Sequence, residues 1–170
     1  MLRTLTPSLV FACIGAVLCA CVSNSPRFDR DSYDSSIAPR DAVHAEQTMQ
    51  GRGLLWGGLI VASTNLDQGS EIEVLAYPLG RDQSPDLDRS PLGRFMVTTN
   101  DFLETIDFAP GRLITVAGTL SGTREGEIGN ARYVYPILST AAARIHLWPQ
   151  GGASRRNSNF NFGLGIGIGL

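Results

Sequence analysis

From Gly51 to Trp148 the apolar side chains recur at every second position in short runs, and these runs are separated by turn signals. That period is the period of a strand, so this part of the chain is expected to fold mainly as sheet. Arg112 to Ser121 is the clearest strand, with Ile114, Val116 and Leu120 in alternation and Gly118 among them. In Glu71-Ile-Glu-Val-Leu-Ala-Tyr77, Ile72, Val74 and Ala76 share one face and Glu71 and Glu73 the other. Gly93 to Thr99 repeats the pattern with Phe95 and Val97. Leu54 to Thr64 is an apolar run interrupted at Gly57-Gly58, where a strand bulges or bends. Pro136 cannot donate to a ladder, so Tyr133 to Leu138 lies at an edge or carries a break, and Ile145 to Trp148 adds a last short strand. Asn100 or Asp101 caps a short helix through Phe102-Leu103-Glu104, with Phe102, Leu103 and Ile106 buried under one end of the sheet. Three strands, a short helix and then at least two strands is the element order of an OB-like small β-barrel, with Gly57-Gly58 and Gly118 as bending points. A small open sandwich is the alternative arrangement of this mainly β chain.

The length of 170 residues suits one such domain. All 14 basic residues are Arg, which excludes Schiff-base chemistry, a pyridoxal phosphate anchor and the Lys of a phosphate-binding loop. A net charge of −2, with no cluster of one sign, lacks the basic footprint of a nucleic-acid binder. The three cysteines, Cys13, Cys19 and Cys21, all stand at or before position 21. The strand region therefore has no thiol nucleophile, no disulfide and no Cys-based metal site.

The first residues divide as an export signal does. Arg3 supplies a short positive region, and Leu5 to Leu18 form an apolar stretch shorter than the ~20 residues of a comfortable membrane-spanning helix. Leu18-Cys19-Ala20-Cys21 resembles the bacterial lipobox, with a Leu three residues before the modified cysteine and a small residue just before it. Cys19 is the poorer acceptor because bulky Leu18 would occupy the cleavage position, and Cys13 interrupts the apolar stretch too early. Cleavage is expected between Ala20 and Cys21, with lipidation of Cys21 through an S-diacylglyceryl thioether and an N-acyl group; an ordinary secretory signal is the alternative. Loss of residues 1–20 removes one Arg and no acid, leaving thirteen basic against sixteen acidic residues, or −3. Each buried acyl CH₂ contributes ~0.8 kcal/mol, so several chains together hold permanently where one does not. Val22, standing where Asp would retain such a protein at the inner membrane, implies by analogy with Gram-negative sorting transfer to the outer membrane.

The expected organisation is a signal peptide over residues 1–20, then a lipidated N-terminus and tether with a short helical segment over 21–50. The β-domain covers 51–148 and a Gly-rich flexible tail 149–170. Residues 22 to about 40 are rich in Ser, Asp, Arg and Pro, the composition of solvated chain. Asp41 to Gln50 can form a short helix after Pro39. The tail is polar around Arg155-Arg156 and then alternates apolar residues with Gly from Phe160 to Leu170. In strand conformation those apolar side chains share one face, suited to a sheet edge, a membrane or self-association; the Gly content favours a flexible end.

The ordered set of residues Gly53-Leu-Leu-Trp-Gly-Gly-Leu-Ile60, Glu71 to Leu79, Gly93-Arg-Phe95, Phe102-Leu103 and Ile106-Asp-Phe108 resembles the Slp family of bacterial outer-membrane lipoproteins. The likeness continues through Gly111 to Gly118, Gly122-Thr123, Gly126, Ile128-Gly-Asn130, Tyr133 and His146-Leu-Trp148. It implies a lipid-anchored envelope protein of stress-related or maintenance role, without an enzymatic mechanism and facing the periplasm of a Gram-negative bacterium. The partners it implies are the membrane, through the lipid on Cys21, and an envelope protein or glycan. A periplasm-facing binding module for a small molecule, glycan or protein is the alternative function.

Other candidate chemistry reads more simply as structure. His44 and His146 have no nucleophile or metal partner nearby in sequence, so a structural or solvent-facing role is expected, and no catalytic or metal site is assigned. Glu71 and Glu73 share a strand face, but acid catalysis needs one of them buried, and a solvated face explains both. Gly122 to Gly129 is expected to be a turn between strands, since a phosphate cradle opens onto a helix. Tyr133, Tyr135 and Phe95 would offer a nucleic-acid stacking face on an OB-like barrel, but the acidic balance argues for packing. No cofactor and no nucleic-acid partner are expected.

Overall fold

The computed structural model describes residues 28–149. Two short helices, α1 (Pro39–His44) and α2 (Glu46–Met49), precede β1 (Gly53–Leu66), β2 (Gly69–Ala76), β3 (Arg94–Thr99), β4 (Leu113–Ile128), β5 (Ala131–Ser139) and, after a 3₁₀ turn at Ala142–Arg144, β6 (Ile145–Leu147). The strand order is β1-β2-β3-β5-β4-β6, and a further pairing of β1 with β4 closes the sheet into a ring. All neighbours are antiparallel except β3 and β5. The chain is mainly β, as read from the sequence, and the ring closure sets aside the open sandwich.

Closure depends on β1 serving two neighbours. Its first half pairs with β4 and its second with β2, and Gly58 and Leu59 belong to both ladders. A Cβ at Gly58 would run into the Leu75 carbonyl, so only glycine lets the strand bend there. The irregularity of register lies further on, between Ile60 and Ala62, and a second one in β4 lies between Leu120 and Gly122. The glycine pair is thus a bend, and the bulge is displaced from it.

The interior is filled as the alternation predicts. Leu54, Ile72, Val74, Phe95, Val97, Ile114, Val116, Leu120 and Leu138 are fully buried, with Trp56 edge-on to Phe95 at 5.1 Å. The helices close one end with Ala42 and Met49, and Pro39 sits in the first turn of α1, where its missing N–H costs nothing. The Trp56 indole N–H donates to the Ile37 carbonyl at 2.7 Å and ties the approach to the helices onto the ring.

Two expectations are corrected and one is refined. Gly122 to Gly129 is not a turn as a whole: β4 runs on to Ile128, and the reversal is the two-residue Gly129-Asn130 turn, with Gly129 at φ +60° as a tight hairpin requires. β4 and β5 extend there as a two-stranded arm. Pro136 lies where β5 passes from pairing with β4 alone to pairing with β3 as well, so the strand is an edge only in its first half. Finally, no helix stands between β3 and β4. Leu103 gives its N–H to the Ser70 hydroxyl and its carbonyl to the Asn65 amide, and only a single turn forms, with Asp107 and Phe108 donating to the Glu104 carbonyl. Side chains of the β1–β2 hairpin have taken the backbone groups a helix would use. Leu103 and Phe108 are buried, but Phe102 and Ile106 are 67% and 81% exposed.

Candidate functional site

Ala20 and Cys21, the expected cleavage and lipidation positions, lie outside the described residues, as do Arg155-Arg156 and the Gly-rich tail. What is visible is how the chain following Cys21 is received. Phe28 is gripped by one side chain: its N–H donates to Gln83 Oε1 at 2.9 Å, and Gln83 Nε2 donates to its carbonyl at 2.8 Å. Arg30 adds hydrogen bonds from Nη2 to the Gly80 and Arg81 carbonyls. Asp34 bridges to Leu54 of β1 and pairs with Arg52 at 3.3 Å. Residues from Phe28 to Ala38, whose composition predicts solvated chain, are therefore laid along the outside of the ring.

Gln83 belongs to the 77–93 loop between β2 and β3. It is 5% exposed and has φ +69°, the only positive φ on a non-glycine residue among those described. Asp82 holds this turn by accepting from the Ser84 hydroxyl and N–H, and the hydroxyl keeps its carboxyl below the ordinary range. The Gln83 carbonyl accepts from Thr115 Oγ1 at 2.6 Å, and the Trp148 indole N–H donates to the same Thr115 oxygen at 2.9 Å. One clasp therefore links the start of the described chain, the loop, β4 and the residue following β6. A strained backbone persists where its surroundings over-determine it, and four elements do so here. Sequence reading missed Gln83 because nothing in Arg-Asp-Gln-Ser-Pro marks it; the Thr at an otherwise apolar position of β4 was the only signal.

The two histidines are not brought together with any nucleophile. His44 ends α1. His146 pairs in register with Thr115 and stands edge-on to Trp148 at 4.8 Å. Its Nε2 is buried without a hydrogen-bond partner, and burial lowers its pKa, so the neutral ring is the form the fold holds. Glu71 and Glu73 do share a face, but each is neutralised. Arg124 makes a two-pronged pair with Glu71 at 2.8 and 3.1 Å, and Arg94 pairs with Glu73 at 2.6 Å. The Tyr135 hydroxyl lies 3.2 Å from Glu73, and burial, then the Glu73 charge, push its pKa up. The Tyr133 hydroxyl accepts the Arg94 N–H at 2.8 Å, doing for that edge of β3 what a neighbouring strand would do.

Phe95 belongs to the core cluster, whereas Tyr133 and the buried Tyr135 meet edge-on at 4.7 Å beside Arg94 and Glu73, so the three do not form one stacking face. A shallow groove of about 360 Å³ lies along the arm between Glu125, Glu127, Arg132 and Tyr133. The enclosed space under the 77–93 loop, beside Trp56, Tyr77 and Leu92, is about 20 Å³, room for one water. Among the described residues no group of three His, Cys, Asp or Glu is placed to hold a metal, and no helix is long and apolar enough to cross a membrane.

With this geometry in place, the comparisons are direct. The chain belongs to the outer membrane lipoprotein Slp family, whose model matches residues 18–163. It is 34% identical over 109 residues to the uncharacterized lipoprotein YeaY of Escherichia coli (strain K12), covering 64% of this chain and 56% of that protein. It is 36% identical over 120 residues to an uncharacterized protein of Haemophilus influenzae, covering 70% of this chain and 62% of the other. The matches thus span somewhat over half the length of these relatives. Among solved structures, Schizosaccharomyces pombe Pot1pC bound to single-stranded DNA aligns with 71% of this chain and 88% of its own, at 14% identity and a TM-score of 0.32. That score carries no argument about fold or ligand.

Proposed function

We propose that this Slp-family protein is held at the periplasmic side of the outer membrane by lipid on Cys21, and that it serves the envelope by contact with other components and not by catalysis. The observation that carries the reading is Leu18-Cys19-Ala20-Cys21 at the end of an apolar export segment, inside the stretch matched by a lipoprotein family. The clasp supports it. Six residues separate Cys21 from Phe28, and the seven steps between them reach at most about 25 Å, so the ring would sit close under the headgroups. The neutralised carboxylates and the unpartnered, neutral His146 fit a scaffold better than a reaction centre. A stress-related or maintenance role belongs to this reading through the family.

Labelled palmitate in a Gram-negative host tests it. Wild type should carry label and sediment with outer membranes, and Cys21→Ser should lose the label and the sedimentation. Label retained in the variant, or an unlabelled soluble wild type, would overturn the reading.

A further inference from the structure

The arm formed by β4 and β5 has one covered edge and one open edge. Along β5, Pro136 supplies no N–H, and the Tyr133 hydroxyl takes the Arg94 N–H where β3 runs past. Along β4, β1 covers the edge as far as Thr119, and the Gln50 side chain reaches the Ser121 carbonyl. Beyond Thr123, whose hydroxyl meets Glu46, no strand or helix among the described residues pairs with that edge. The two-residue Gly129-Asn130 turn makes Ile128 and Ala131 a hydrogen-bonded pair, and such pairs alternate along an antiparallel ladder. Gly126 and Arg124 therefore bond to β5, while the N–H and C=O groups of Glu125 and Glu127 point away from it. Among the described residues, only the Glu127 carbonyl of these groups finds a partner, the Tyr135 hydroxyl at 3.2 Å. A row of free strand groups is a template for another extended chain.

The side chains beside this edge define what fits it. Glu125 and Glu127 share one face, are exposed, and make no ion pair with a described residue. Arg132 stands opposite Glu127, but on β5, one strand further from an added chain. On the other face Gly126 has no side chain, and the Tyr135 ring lies so close over it that a Cβ there would stand 2.9 Å from Cε2. An added strand thus meets two carboxylates on one face and, between them on the other, an aromatic ring. Its side chains opposite Glu125 and Glu127 should be cationic, and the one between them apolar. A second copy of this chain fits poorly. Antiparallel pairing centred on Glu125, Gly126 or Glu127 sets glutamate against glutamate, and pairing centred on Arg124 sets arginine against arginine. We infer that the open edge of β4, from Thr123 to Ile128, binds an extended peptide segment with Lys or Arg at alternate positions, by strand addition. The inference rests on the contact role proposed above and not on the lipid, so failure of palmitate labelling and failure of peptide binding are separate results.

Amide exchange read by NMR tests it on the chain made from residue 21 onward with Cys21→Ser. In the free chain the Glu125 and Glu127 amides should exchange quickly and the Arg124 and Gly126 amides slowly. The probe is an acetylated, amidated hexapeptide of alternating Arg and Val. Its binding should slow exchange at Glu125 and Glu127 at least about tenfold. The same peptide N-methylated at its Arg residues keeps its charge but loses strand hydrogen bonds, and should bind at least about tenfold more weakly. Glu125→Gln with Glu127→Gln, both at the surface, should weaken binding about threefold, as loss of exposed ion pairs does. Equal affinity of the N-methylated peptide would reduce the contact to charge and overturn strand addition. Protection that falls elsewhere on the ring would overturn the site. Protection of both amides in concentrated protein without peptide, with dimers in sedimentation, would give the edge to a second copy and overturn the partner. Amides that stay fast at millimolar peptide would show that the two glutamates only keep the edge empty, and the inference would fall.

Discussion

The 77–93 loop and the 100–112 connection join successive strands of the same ring, both lie outside its helices and strands, and both are rich in Asp, Pro and Gly. The first lies across the outer face and buries Gln83 against β4, whereas the second turns Phe102 and Ile106 outward. Hydropathy would have ordered them the other way. Backbone hydrogen bonding explains the inversion. The loop finds partners on two sides, Phe28 and Thr115, so it can afford a buried amide. The middle of the connection is held by Ser63, Asn65 and Ser70 of the β1–β2 hairpin, while Ala142 and Trp148 bond only to its ends, at Asp101 and Arg112. Those anchors dictate that Leu103 and Phe108 point inward, and the residues between them are left outside.

Substitutions in the two segments test this contrast directly. Leu103→Ala removes the inward apolar contact of the connection and should cost about 2–5 kcal/mol in urea unfolding, the range for a buried leucine. Gln83→Ala should cost about 1–3 kcal/mol, because the Phe28 peptide and its surroundings lose both partners. Gln83→Gly relaxes the positive φ while losing the same bonds, so a smaller loss for Gly than for Ala would separate backbone strain from the amide. In both variants proteolysis should cut near residue 30 faster, while the ring's near-ultraviolet circular dichroism stays unchanged.

His146 gives the clasp side a pH dependence. Its folded pKa lies below the unfolded value of about 6.5, so the unfolded chain binds the proton more readily. Stability from this residue is complete above that value and drains as pH falls below it; thermal melts of His146→Phe should lose that part of the slope. Smaller still is Glu71→Gln, expected to cost at most about 1 kcal/mol, since Arg124 is largely solvated. Least of all, Ile106→Ser should leave stability within about 0.5 kcal/mol, the usual range for a surface change. A loss comparable to Leu103→Ala would show that Ile106 is already covered.

Much of the ring was legible because burial imposes a period of two. Ile72, Val74, Phe95, Val97, Ile114 and Val116 could be placed inside from alternation alone. Pro136 signalled a half-edge and Gly57-Gly58 a bend, since each departs from a rule the ladder enforces locally. The 100–112 connection was misread because Phe102, Leu103 and Ile106 do recur at helical spacing. The serine and asparagine that compete for its backbone come from a hairpin some thirty to forty residues earlier. Residues 122–128 were misread as a turn because their glycines and charges look like one; on the arm it is the partner strand, through Tyr133 and Tyr135, that supplies the bulky side chains, so this strand shows no apolar alternation of its own.

The candidate anchor is the reverse case. Leu18 to Cys21, the proposed lipidation signal, is linear and so is legible without any fold. Alternation and turn residues were enough to establish a β-domain, and that short segment is what the proposal of a lipoprotein leader rests on. Only the tertiary structure decided that β1 serves two ladders and closes the ring, that Gln83 grips Phe28, and that Arg94 and Arg124 neutralise the paired glutamates. Each of these joins residues distant along the chain through hydrogen bonds or ion pairs. A polar side chain carries no mark in sequence of which distant group it will meet.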